Sequence, residues 1–196
     1  MTVIEDAAAI DLLASPTRLE IIDALEACAA PVTVAELAAQ LGRPADGLYY
    51  HLRQLADAGL VEEEGAPEVR RYRTPTRAGE RLRVRYHPGD TPNAKAVARA
   101  VASLLRVGSR DFTRALTDPA SVVEGPQRDL WAARGTGWVE PEDLAEINRL
   151  LARIGELLHR SRCARSGKLV ALSWVLAPLD AQPARRRAPR RAAKQG

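Results

Sequence analysis

Apolar residues in the first sixty positions recur at steps of three and four and are cut by proline and glycine, which predicts several short helices. Residues 3–13 (VIEDAAAIDLL) read as a first amphipathic helix. Ser15 and Pro16 supply a cap and a first helical position. The helix they start runs to about Ala29 and buries Leu19, Ile22 and Leu25, with Ile21 and Ala29 widening the stripe. Pro31 breaks it. Thr33, with Glu36 three residues on, makes a capping box for a third helix that turns Val34, Leu37, Ala38 and Leu41 inward and ends at Gly42. A fourth helix is predicted from Pro44 to Ala58, closing on Gly59. At ~100° per residue, Ala45, Leu48, Leu52 and Leu55 form its apolar face. Asp46, Tyr50, Arg53, Gln54 and Asp57 lie opposite, with Tyr49 and His51 on the flanks.

The pattern then changes. Leu60-Val61 opens a strand into Glu62-Glu63-Glu64, residues 65–68 turn, and Val69 to Arg73 return as a second strand. On that return Val69, Arg71 and Arg73 share one face, Arg70 and Tyr72 the other. A helix from Thr76 to about Tyr86 is expected to carry Arg77, Arg81, Arg83 and Arg85, before a linker at 87–92. Asn93 to about Thr117 keeps helical spacing through Val97, Val101, Leu104, Leu105, Phe112 and Leu116. Residues 120–138 show no clear period, and one short strand near Trp131 is expected there. From the strong start Glu140-Pro141-Glu142-Asp143, a further helix spaces Leu144, Ile147, Leu151, Ile154 and Leu158 as a heptad seam, with Leu150 and Leu157 beside it. Residues 168–176 (KLVALSWVL) read as a buried strand, and the Pro-, Ala-, Gln- and Arg-rich residues after Asp180 as a disordered tail. The expected fold is mostly α with small β. It divides into a unit at 1–86, a helical C-terminal region at 93–178 with a short terminal strand, and a tail at 179–196.

Composition sharpens this outline. The 196 residues are 46% hydrophobic but only 4% aromatic, so the core must be built largely from Leu, Val, Ile and Ala. No apolar run reaches membrane-spanning length, and no basic-then-apolar leader opens the chain, which makes a cytoplasmic protein the expectation. The net charge of +4 is unevenly spread: residues 1–69 hold three Arg against thirteen acidic residues, residues 70–86 seven Arg against Glu80, and the tail five Arg and Lys194 with no acid. The three histidines stand in no nucleophile–base–acid motif, and no Gly-rich phosphate loop follows a strand, so no enzyme is expected. Cys28 and Cys163 make no disulfide framework. His159 and Cys163 are four apart, but two ligands do not close a zinc site, and no metal or other cofactor is expected.

Two short helices around a glycine turn, the second with its outer face uncommitted, make a helix-turn-helix pattern, and a basic hairpin behind it makes a wing. LASPTRLEIIDALEA, VTVAELAAQLG, GLYYHLRQLADAGLV and the hairpin, together residues 12–74, resemble the winged helix-turn-helix of ArsR-type bacterial transcription regulators. The resemblance implies a recognition helix at 44–58 in the major groove of double-stranded DNA, with DNA-facing positions at Asp46, Tyr49, Tyr50 and Arg53, and a repressor role. Arg43, at the helix start, joins these candidates. It also implies that the wing at 61–73, through Arg70, Arg71 and Arg73, reaches flanking phosphates or the minor groove. The chemistry of the side chains suits this: Arg53 can pair bidentately with guanine, and Gln54 with adenine if its rotation allows. The family's metal-sensing members carry a cysteine pair where this chain has Val32-Thr33-Val34-Ala35-Glu36, so thiolate sensing is not available there. The seam Leu144, Ile147, Leu151, Ile154 and Leu158 fits either packing within one chain or a homodimer on a two-fold operator. Trp131, Trp138, Trp174 and Phe112 either line a pocket for a small apolar effector or fill core. The excess acid at 1–69 supports an alternative, a winged-helix module that binds protein and not specific DNA.

Overall fold

The turn between the third and fourth helices fixes the arrangement. In the computed structural model, which describes residues 2–28, 30–66, 69–76, 81–160 and 167–180, helix α3 spans Val34–Leu41 and helix α4 spans Asp46–Asp57. Both halves of the Thr33–Glu36 capping box form. Gly42 takes the left-handed conformation (φ 61°), which lets its N–H and that of Arg43 return to carbonyls of the last turn of α3. Gly59 (φ 68°) ends α4 the same way, with the Leu60 N–H donating to the Leu55 carbonyl. Pro44 and Ala45 precede the first helical residue.

Strand β1 (Val3–Ile4), helix α1 (Ala7–Leu12) and helix α2 (Pro16–Ala27) come before this pair. The single helix expected at 3–13 is therefore split: Val3 and Ile4 are extended, and Asp6 caps a shorter helix by accepting from the Ala9 N–H. Ile21, Ile22, Ala24 and Leu25 of α2 are buried, whereas Leu19 is only half-buried. Strand β2 (Val32–Thr33), strand β3 (Glu62–Glu64) and strand β4 (Arg71–Arg73) form an antiparallel sheet in the order β2-β4-β3. Glu62 faces Arg73, Glu63 faces Tyr72 and Glu64 faces Arg71. Tyr72 alone of the β4 residues turns inward, beside Leu60 and Val61, which plug the core below the hairpin. This is the wing.

Strand β5 (Arg83–Val84) replaces the C-terminal part of the helix expected at 76–86 and pairs parallel to β1; residues 77–80 lie outside the described residues. Helix α5 (Thr91–Ala115) starts two residues earlier than expected, capped by Asp90. Its buried Asn93 donates from Nδ2 to the carbonyls of Glu5 and Arg85 and accepts from the His87 N–H, which ties β1, β5 and α5 together. Ala96, Val97 and Ala100 of α5 join the core of Ile10, Ile21, Leu25, Leu37, Leu48, Leu52 and Leu55. The long helix thus begins on the helix-turn-helix unit and runs out of it, ~37 Å in all at 1.5 Å per residue.

Helix α6 (Pro141–Arg160) starts where the sequence places it. Ile147, Leu151, Ile154 and Leu158 are half-buried on it, while Leu144, Leu150 and Leu157 are exposed. Two strand expectations fail. Residues 128–140 and 168–180 form no strand and pair with neither small sheet. The fold is nevertheless mostly helical with a small sheet, as expected. No helix among the described residues is long and apolar enough to cross a membrane. The tail at 181–196 and the His159–Cys163 pair lie outside the described residues and side chains.

Candidate nucleic-acid interface

Leu48, Leu52 and Leu55 are fully buried and lock the inner face of α4 to α2 and α3. That leaves Asp46, Tyr49, Tyr50, Arg53 and Asp57 exposed on the outside, with Tyr49 54% and Tyr50 64% accessible. Such large aromatic area in water is uncommon unless something is to be laid against it. Arg53 stands among these residues without an ion pair among the described residues, so its five guanidinium donors are uncommitted. Tyr50 packs edge-on to His51, ring centroids 5.5 Å apart.

The other candidates are engaged within the chain. Gln54 is half-buried and accepts through Oε1 from Arg18 Nη1 at 2.8 Å, while Arg18 Nε donates to the Leu12 carbonyl. Its amide is thereby turned towards α2 and away from the Tyr50–Arg53 face. Arg43 donates to Glu20 Oε2 at 2.6 Å, and Glu20 also accepts from Arg110 Nη2 of α5 at 2.5 Å. The Glu20 side chain is 12% exposed, so it forms a half-sequestered link between the turn before α4 and the long helix. Hydrogen bonds to the Glu20 carboxylate and then to Asp111 push the Arg110 guanidinium pKa up, so it stays protonated. Arg18, Glu20 and Arg110 were not legible as part of this surface. Each sits on a polar face of its own helix, and pairs 23 to 90 residues apart leave no local spacing signal.

On the wing, Arg70 pairs with Glu63 at 3.1 Å, and Arg73 with Glu62 at 2.5 Å and Glu64 at 3.5 Å. Arg71 donates to the Pro31 carbonyl at 3.1 Å and lies 4.0 Å from Glu36. The hairpin read as basic from its return strand is charge-balanced in three dimensions. Burial between α2 and the hairpin pushes the Tyr72 hydroxyl pKa up, so its ring acts as core and its hydroxyl stays protonated.

A small cleft of about 120 Å³ opens beside the start of α4 between Thr17, Arg43, Pro44, Gly47, Leu48 and His51. His51 Nδ1 is enclosed there without a hydrogen-bond partner. Desolvation, then the charges of Arg18 and Arg43, hold the His51 pKa below its ordinary 6.5, so the ring is neutral at pH 7. A second cleft of about 410 Å³ lies between α5 and α6, lined by Val97, Val101, Leu104, Asn148, Leu151 and Trp174 among others. Of the four aromatics considered for an effector pocket, only Trp174 lines it. Trp131 and Trp138 are 68% and 73% exposed and fill neither a pocket nor a core, and the Arg128 guanidinium stacks 3.6 Å over the Trp131 ring.

The model of a helix-turn-helix domain family matches residues 13–64, about a quarter of the chain, and ends within β3. The match therefore spans α2, α3, the turn and α4 as one unit, and the chain carries a DNA-binding helix-turn-helix domain, a regulatory class and not an enzyme class. It is a match to helix-turn-helix domains at large and does not single out the ArsR type. No curated protein matches the chain.

Proposed function

We propose that the protein is a homodimeric, sequence-specific DNA-binding transcriptional regulator of the ArsR type, acting as a repressor. One observation carries the reading. Tyr49, Tyr50 and Arg53 stand exposed together on the outer face of a helix whose inner face is immobilised, within a helix-turn-helix domain. In this role α4 enters the major groove, Arg53 donates to guanine, and the two tyrosines give hydroxyls to phosphate or ring faces to thymine methyls. Asp46 faces the same groove and reads only a base that offers a donor, such as cytosine N4. Arg43 and Gln54 support the helix from behind. The unit at 1–86 binds DNA, and the region at 93–178 holds the two-fold partner through Leu144, Ile147, Leu151, Ile154 and Leu158. The cleft beside Trp174 has a volume suited to a small effector with one polar group facing Asn148.

A second reading, a winged-helix module that binds protein, draws on the paired wing arginines and the acid of residues 1–69. One experiment separates the two. Selection of duplexes from a randomised pool by the full chain should enrich a two-fold symmetric pattern with half-sites one helical turn, ~34–36 Å, apart. A pool unchanged after repeated rounds at low salt favours the protein-binding module.

A further inference from the structure

Strand β3 is three glutamates, and with the neighbouring Glu36 they engage every arginine of the wing. The carboxylates of Glu62 and Glu63 sit 2.5 Å and 3.1 Å from their guanidinium partners, within the distance at which a DNA phosphate pairs with arginine. All seven side chains are between a third and about a half exposed, so solvent screens these pairs and a stronger anion can displace them. In the register Glu62 faces Arg73 and Glu64 faces Arg71 on one side of the ribbon, yet both glutamates reach Arg73, while Glu63, opposite Tyr72, reaches Arg70.

We propose that Glu62, Glu63 and Glu64 are specificity determinants that stand in for phosphate on the wing. This rests on the DNA-binding reading above and deepens it. A duplex of the wrong sequence offers the wing only phosphates, and each arginine it captures leaves a carboxylate behind, next to the DNA backbone. That carboxylate keeps a counterion which phosphate neutralisation should have released, so the electrostatic gain that drives non-specific binding largely cancels. A duplex seated by the base contacts of α4 is held against the wing and makes the exchange. The wing thus adds little to affinity for random DNA and leaves discrimination to Tyr49, Tyr50 and Arg53.

The test measures binding of the full chain to a random-sequence duplex and to the duplex enriched by selection, by fluorescence anisotropy over a salt series. The variant E62Q/E63Q/E64Q frees Arg70 and Arg73, while Arg71 keeps Glu36. At ~0.9 per phosphate contacted, its log–log salt slope on random duplex should steepen by about two, and its preference for the selected duplex should fall. In an R70Q/R71Q/R73Q background the same three exchanges should give no gain. An unchanged slope overturns the proposal, and so does a gain that persists without the arginines, since net charge alone would then account for it. The single exchange Glu63→Gln, which frees Arg70 only, should steepen the slope by about one and decides the matter if the triple variant does not fold. If neither the parent nor the folded variants retain any duplex at low salt, the DNA-binding reading falls and takes this inference with it. Binding of the random duplex by the variant but not by the parent, with the parent retaining the selected duplex, supports both.

Discussion

Arg53 and Gln54 are adjacent on α4 and end in different environments. About 100° of helical rotation puts Arg53 in solvent and swings Gln54 to the edge of the α2 contact, where Arg18 takes its amide oxygen. Helical phase makes the buried leucines and exposed tyrosines legible from the sequence, because burial follows a repeat. It says nothing about which exposed-face polar residue meets a long side chain arriving from another helix. The same holds for Arg43, whose partner Glu20 sits 23 residues earlier. His51 shows the consequence for pH. Its folded pKa is depressed below 6.5, so the unfolded chain binds a proton more readily than the folded one. Its contribution to stability is therefore complete above about pH 6.5 and declines as the pH falls below that value. In urea unfolding, the parent should lose more stability than His51→Gln between pH 7.5 and pH 5.5. Equal losses would mean that the enclosed Nδ1 costs nothing to protonate.

At the scale of elements, the legible features are those that carry their own punctuation. α3 has a capping box and a left-handed glycine, α4 a left-handed glycine, and α6 proline and acids in its first turn. Thr33→Ala removes one half of the box and should cost about 1 kcal/mol in chemical denaturation, with the midpoint lowered and the m-value unchanged. A midpoint equal to the parent's would show that β2 alone sets the start of α3. Errors fall where two periods compete. Arg81-Leu82-Arg83-Val84-Arg85 alternates with a period of two, and the half-buried Leu82 and Val84 follow that alternation and not a helical one. The run at 168–176 has strand composition, but composition supplies no partner edge, and the hydrogen-bonded neighbour that makes a strand is absent among the described residues.

For the whole molecule, the helix-turn-helix unit accounts for nearly all the buried core, and α5 carries that core outwards through Ala96, Val97 and Ala100. Beyond it the chain leaves much apolar surface in water: Leu144, Leu150 and Leu157 on α6, Trp131 and Trp138 before it, and Leu169, Val170 and Leu172 after it. Surface of this kind is commonly covered by a partner, which supports the proposed homodimer. A heptad seam reads identically whether it packs within one chain or between two, so the sequence leaves that choice open. Sedimentation equilibrium should give twice the 21.3 kDa chain mass for the parent and the single mass for Leu151→Asp. A monomeric parent, or a variant of unchanged mass, would place the seam within one subunit.

In the proposed function the exposed face of α4 reads DNA sequence, and Arg53 is the residue on which that reading depends most. The decisive measurement is the ratio of affinities for a duplex enriched by selection and for a scrambled duplex of the same composition, compared between the parent and Arg53→Ala. The substitution should lower this ratio by about 1–3 kcal/mol at every salt concentration, with most of the loss at one base position in each half-site. An equal loss of affinity for both duplexes would reduce Arg53 to a phosphate contact. A parent that does not distinguish the two duplexes would show that α4 does not read base sequence.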